Sequence, residues 1–135
     1  MTVDSNIVVY AFSDDDDKAR IASNVLGRTD FVSIQVLNEF ANVSYRKQGK
    51  SWIEIASKVA DIRNTVGHVM PLGESANAEA LRIAQRYQLS FYDSLLLAVA
   101  LSGGARTIYS EDMQHDLLID GALRVVDPFR AGTPA

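Results

Sequence analysis

With 135 residues, 47% hydrophobic and 22% charged, the chain has enough apolar material for one compact domain with a core. It contains no cysteine, which excludes disulfides, thiolate zinc sites and cysteine nucleophiles; any metal is left to oxygen ligands or the two histidines, as suits magnesium, manganese or calcium. The net charge of −4, from 13 basic and 17 acidic residues, argues against a broad basic nucleic-acid footprint, though not against an enzyme whose acids surround bound cations.

Thr2-Val3 reads as a brief first strand ending on Asp4, followed by a turn over Asp4 to Asn6 and an apolar segment, Ile7 to Phe12, as a first helix or extended turn. The run Asp14 to Asp17 precedes a helical pattern that stops at Gly27. It reads as the negative first turn of that helix, because the glycine and distal glutamate of a calcium loop are missing. Phe31-Val32-Ser33 is a second strand. Ile34 to Lys47 has helical spacing, with Val36, Phe40 and Val43 on its apolar side and Glu39 at the rim of that side. A rim glutamate ordinarily reaches for water. Arg46, Lys47 and Lys50 gather at the far end, where they are candidates for RNA phosphate contacts or a solvated helix end.

Ser51-Trp52-Ile53-Glu54 fits a capping box that opens a helix to about Asn64. Val69 to Leu72 is a third strand, with Pro71 marking an edge or a strand end. Glu74 to Tyr87 is amphipathic, with Ala76, Ala80, Ile83 and Ala84 inward. From Tyr92 to Leu101 the only charge is Asp93, so apolar side chains face nearly every direction of this helix, which predicts burial on most sides. Gly103 or Gly104 supplies the left-handed residue that stops it. Asp93 sits in the first turn, where the free N–H groups favour a carboxylate, so capping by itself accounts for it. Thr107 to Ser110 is a strand ending at Glu111-Asp112, Met113 to Gly121 a loop or short helix, and Leu123 to Val126 a last strand closed by Pro128. His68 and His115 read as turn and surface-loop residues, Trp52 and Tyr10 as core or interface aromatics. The longest fully apolar run, Leu95 to Leu101, is far short of the ~20 residues that cross a bilayer, and Asp4 arrives before any signal-peptide pattern. A cytoplasmic chain without a membrane segment is expected.

Short β-branched segments alternating with helices predict a single α/β domain, a mainly parallel central sheet flanked by helices. In such folds ligands bind beyond the carboxyl ends of the strands. Asp4 and Asp112 follow strands, Asp93 opens a buried helix, and Glu39 lies on the helix after the second strand, so all four acids are expected at one rim. Four converging carboxylates raise one another's pKa unless cations neutralise them, which points to divalent metal and phosphodiester hydrolysis.

These residues carry a resemblance. Val3-Asp4-Ser5-Asn6, Gln35-Val36-Leu37-Asn38-Glu39-Phe40, Tyr92-Asp93-Ser94-Leu95-Leu96-Leu97-Ala98 and Tyr109-Ser110-Glu111-Asp112, in this order, resemble the PIN domain, and in particular the VapC-like ribonuclease toxins of type II toxin–antitoxin systems. The resemblance runs from Asp4 to about Phe129, which implies a PIN-like domain over residues 1–129; the remaining tail, 130–135, is expected to fray as chain ends do. It implies a magnesium- or manganese-dependent endoribonuclease with Asp4, Glu39, Asp93 and Asp112 as the acidic quartet. Asp4 and Asp93 would be the principal metal ligands, and Asn6 and Ser110 the polar neighbours. It also implies an RNA substrate, a homodimer and a cognate antitoxin. The first strand is shorter than the family's usual opening. Glu111 adjoins Asp112 and is the alternative fourth acid; the spacing Ser110-x-Asp112 selects Asp112.

Other enzyme classes lack required residues. A haloacid-dehalogenase-type phosphatase needs an aspartate where Asn6 stands, a receiver domain needs a late lysine although none follows Lys58, and no glycine-rich turn ends in Gly-Lys-Ser/Thr. The remaining alternative is a non-catalytic PIN-like module that binds RNA or a protein. Loss of one of the four acids would favour it, and all four are present.

Overall fold

Thr2, Ile108 and Val125 stand in one row across a sheet, although more than a hundred residues separate the first from the second. This comes from a computed structural model that describes residues 1–131. Among the described residues the elements run β1 (Thr2–Val3), α1 (Ser5–Ala11), α2 (Asp16–Gly27), β2 (Val32–Ser33), α3 (Ile34–Arg46), α4 (Trp52–Val66), β3 (Val69–Met70), α5 (Glu74–Tyr87), α6 (Phe91–Ser102), β4 (Thr107–Tyr109), β5 (Leu118–Ile119) and β6 (Leu123–Val126). The main sheet has the order β1-β4-β6-β5, parallel except for β5. The α/β class with a mainly parallel sheet is therefore observed. Of the expected tail, residues 132–135 lie outside the described residues.

Two features differ from expectation. β2 and β3 do not join the main sheet but pair with each other, Val32 beside Val69. And Met113 to Gly121 is neither plain loop nor helix: it contains β5, which turns back on β6 as a hairpin. Asp120 and Gly121 both have positive φ (53° and 67°), and the Ala122 N–H donates to the Ile119 carbonyl at 2.9 Å. Positive φ at both central residues is the turn that matches strand twist, and Asp-Gly is its usual sequence. Arg82 and the Tyr87 hydroxyl of α5 hold the Asp120 carboxylate in that conformation.

The capping signals act locally. The Ser51 hydroxyl accepts from the Glu54 N–H at the start of α4, and Gly67, at φ 82°, ends it. Asp15 caps α2, with Asp16 and Asp17 in the first turn, so the acidic run is a solvated helix start. α6 is the buried helix its composition demands, with every residue from Ser94 to Ala100 inside. It packs chiefly against α5 and also meets β2 and β6. Gly104 provides the left-handed turn after it, at φ 79°.

Gly103 has another role. A methyl group there would come within 2.4 Å of the Phe31 ring, which is itself buried. Overpacking in a filled core costs about 1–3 kcal/mol. Gly103→Ala is therefore expected to destabilise the fold by that amount in urea unfolding; an unchanged midpoint would mean that the ring can move aside.

Candidate active site

Parallel pairing of β1 with β4 sets their carboxyl ends side by side, and the Asp4 N–H donates to the Tyr109 carbonyl at 2.9 Å. Each strand stops there, delivering Asp4 on one and Ser110-Glu111-Asp112 on the other. α1 begins at once, with Asp4 as its N-cap: Oδ1 accepts from the Ser5 N–H at 2.6 Å. Oδ2 accepts from the Ser110 hydroxyl at 2.8 Å. Asp4 is only 6% exposed. Burial raises its pKa to about 6, against the hydrogen bonds from Ser110 and Ser5, while the nearby charges of Glu39 and Asp93 push it further up.

The first turn of α1 ties Asp4 to two other acids. The Ser5 hydroxyl donates to Glu39 Oε2 at 2.8 Å and lies 3.4 Å from Asp4 Oδ1. Glu39 Oε1 also accepts from Gln35, one turn earlier on α3, at 3.4 Å. The Asn6 amide donates to Asp112 Oδ2 at 3.1 Å and to Asp4 Oδ2 at 3.4 Å. Asp112 is exposed, and its N–H donates to the Ser110 hydroxyl at 3.3 Å.

Asp93 arrives from the third side, in the first turn of α6. The cap of α6 is not Asp93 but Ser90, whose hydroxyl accepts from the Asp93 N–H at 3.2 Å. Among the described residues no side chain or N–H hydrogen-bonds to the half-buried Asp93 carboxylate, which nevertheless bears electrostatically on Asp4.

Glu111 faces another way. Its carboxylate accepts from the Tyr10 hydroxyl at 2.7 Å and from the Lys18 ammonium at 2.5 Å. Burial pushes its pKa up, but these two partners outweigh that and hold it below the ordinary value. The structure thus places Asp4, Glu39, Asp93 and Asp112 around one rim and turns Glu111 out of it.

Arg46, at the end of α3, and its C-cap Lys47 sit about 10–12 Å along the helix axis from Glu39, taking 1.5 Å per helical residue. They line a hollow of about 250 Å³ with Asn42 and Val43. Lys50 lies against a separate hollow beside Phe12 and Asp14. Trp52 is not in the core: it is 58% exposed and stacks on Tyr45 with ring centroids 3.9 Å apart. His115 Nδ1 accepts from the Asp127 N–H at 3.0 Å, a structural tie, and His68 is an exposed turn residue after Gly67. Ser5 and Ser90 were missed as site residues, although Ser90-x-x-Asp93 is a legible cap pattern.

Among the described residues no three acids or histidines stand close enough together to ligate an ion unaided. Magnesium does not require such a cage: it keeps several waters and is held through one or two carboxylates. A buried carboxylate with a raised pKa, a second to which no described residue donates and two more tethered beside them are a donor set that fits a hard divalent cation.

A family model described as PIN domain matches residues 1–118. Among curated protein sequences none matches. Solved structures of similar fold include a chain of a toxin–antitoxin complex from Klebsiella pneumoniae, 17% identical, with 95% of this chain and 97% of that chain covered and a TM-score of 0.67. VapC20 of Mycobacterium tuberculosis, a sarcin–ricin loop cleaving toxin, is 20% identical over 82% of this chain and 88% of its own, with a TM-score of 0.66. A chain of VapBC2 from Rickettsia felis, bound to a DNA fragment from their promoter, is 18% identical over 92% and 95%, with a TM-score of 0.67.

Proposed function

The chain belongs to the PIN-domain family, and from that premise we propose that it is a magnesium- or manganese-dependent endoribonuclease, the toxin of a toxin–antitoxin pair. The observation that carries this reading is the tethering of three acids by one helical turn: Ser5 joins Glu39 to Asp4, and Asn6 joins Asp112 to Asp4. Tethers of this kind orient ligands rather than neutralise them.

Asp4 and Asp93 are the principal ligands in this reading, with Glu39 and Asp112 completing the site directly or through water. A bound divalent cation supplies a more acidic water and stabilises negative charge on the leaving oxygen of the phosphodiester. The protein's own part is to hold and orient. Ser110 and the Ser5 N–H fix the Asp4 carboxylate, while burial keeps its pKa up at about 6 despite them. Among the described residues no donor occupies the Asp93 oxygens, so they can bind the cation or take the proton of the attacking water. Asp112, held by Asn6, is preferred to Glu111 as the fourth acid, because the Glu111 carboxylate is already occupied by Lys18 and Tyr10. Arg46, Lys47 and Lys50 are the proposed contacts to RNA phosphates.

The partners in this reading are an RNA substrate, a second copy of the chain and a cognate antitoxin. The antitoxin is supported by the toxin–antitoxin complexes among the similar folds. Among the described residues no helix is long and apolar enough to cross a membrane, and a cytoplasmic location is proposed.

Purified, antitoxin-free protein is expected to cut at least one member of a structured-RNA panel in magnesium or manganese and none in EDTA. Cleavage that persists in EDTA would overturn the metal dependence. A folded protein that binds the cation yet cuts nothing would favour the non-catalytic module.

A further inference from the structure

Beside the acidic rim, three side chains from three segments close a ring. The Lys18 ammonium, at the start of α2, donates to Glu111 Oε2 at 2.5 Å and to the Tyr10 hydroxyl at 3.2 Å. The Tyr10 hydroxyl, on α1, donates to Glu111 Oε1 at 2.7 Å. Both oxygens of the carboxylate are thereby used. The ammonium also lies 4.4 Å from the centroid of the Tyr10 ring and 5.1 Å from that of Phe129, and these two rings meet edge-on at 4.9 Å. Cation–π contact and partial burial hold this lysine more firmly than an ordinary surface ion pair.

The ring is connected to the site through the main chain. The Glu111 N–H donates to Asn6 Oδ1 at 3.3 Å, which directs the other end of that amide, Nδ2, toward Asp112 and Asp4. Wherever the Glu111 side chain is anchored, its N–H and the adjoining Asp112 follow. Resting on the metal-site reading above, we propose that Lys18, Tyr10 and Glu111 are positioning residues: a latch that fixes the Ser110–Asp112 segment and, through Asn6, sets the affinity of the acidic rim for its divalent cation.

The sign of one substitution separates this from its rivals. Lys18→Met removes a positive charge beside an acidic site, so electrostatics alone predicts tighter cation binding. If Glu111 were itself a ligand, freeing it from Lys18 would also tighten binding. The latch predicts the opposite, because it loses its anchor; losses from changes in outer-shell partners of metal ligands run at about 10–100-fold. Manganese binding to the whole chain is measured by calorimetry for wild type, Lys18→Met, Lys18→Arg, Glu111→Gln and the remote control Asp120→Asn. Amide hydrogen exchange at Glu111 and Asp112 is followed in EDTA.

Lys18→Met and Glu111→Gln are expected to weaken manganese binding about tenfold or more and to speed exchange at both amides by a similar factor. Lys18→Arg should restore most of the loss and Asp120→Asn should change neither readout. Tighter or unchanged binding in Lys18→Met, with exchange at wild-type rates, overturns the latch. An equal loss in Asp120→Asn also overturns it, by assigning the effect to general destabilisation. If wild type binds no manganese, the metal-site reading fails, and the exchange rates still decide whether the ring holds the segment.

Discussion

Asp93→Asn is expected to lower RNA cleavage by more than about a hundredfold while moving the melting temperature by no more than about 4 °C. Changes in outer-shell partners already cost about 10–100-fold, and a carboxylate proposed to touch the cation should cost more. The fold has little to lose. Ser90 supplies the cap of α6, so replacing Asp93 forfeits only the attraction of a negative charge for the helix start, about 0.3–1 kcal/mol, a few degrees in a domain of this size. Part of that is returned, since the Asp93 charge opposes ionisation of Asp4. Initial rates in magnesium beside thermal unfolding in EDTA make the comparison. Cleavage at the wild-type rate would remove Asp93 from the site.

Without divalent cations the protein is expected to lose about 1–2 kcal/mol of stability between pH 5 and pH 7. The folded chain holds the Asp4 proton up to about pH 6, whereas an unfolded aspartate releases it near 3.8. Folding therefore binds a proton between these values. The protonated carboxyl favours the fold fully below the lower pKa, and that contribution disappears as pH rises through the upper one, at about 1.4 kcal/mol per unit of separation. Glu111 and Asp120 have lowered pKa values, so their opposite contribution is gained at lower pH and is largely complete before this window. Urea unfolding in EDTA across pH 5 to 7 tests the slope, with Asp4→Asn as the variant in which it should vanish. Magnesium at pH 7 should restore what deprotonation removes, because a cation that binds only the folded state stabilises it by mass action. Stability that is flat or rising over this interval would mean that Asp4 is ionised in the folded protein well below pH 6.

Signals carried by neighbouring residues were legible in the chain. Ser51 with Glu54, the acids before Lys18, and the uncharged stretch after Asp93 each determine local structure through contacts within one or two turns, and each appears where it was expected. The β5 hairpin was legible too, in Asp120-Gly121, but its flanking strands are so short that the apolar alternation was overlooked. The division into two sheets was not legible, because Val32 pairs with Val69 rather than joining the main sheet through spatial choices that no periodicity records. The rim was anticipated as a set of four acids, yet the tethers were not: Ser5 meets Glu39 across 34 positions and Lys18 meets Glu111 across 93. The Ser110-x-Asp112 spacing favoured Asp112 over Glu111 in the chain itself, but the occupation of Glu111 by a lysine 93 positions away was not legible there.

The pairing of β1 with β4 also orders events in time. The hydrogen bond from Ser110 to Asp4 spans 106 positions, so nearly the whole domain must leave the ribosome before the rim can assemble. The helices between them are local structures and are free to form and pack first, whereas the parallel strand that carries Asp4 waits for its neighbour; contacts of such long sequence separation are the slow ones in folding. Asp4 is among the first residues made, and the strand it pairs beside is made about a hundred residues later. A chain interrupted before Thr107 would carry three of the four acids and no sheet partner for the first, so truncated products of this protein should be inert as nucleases.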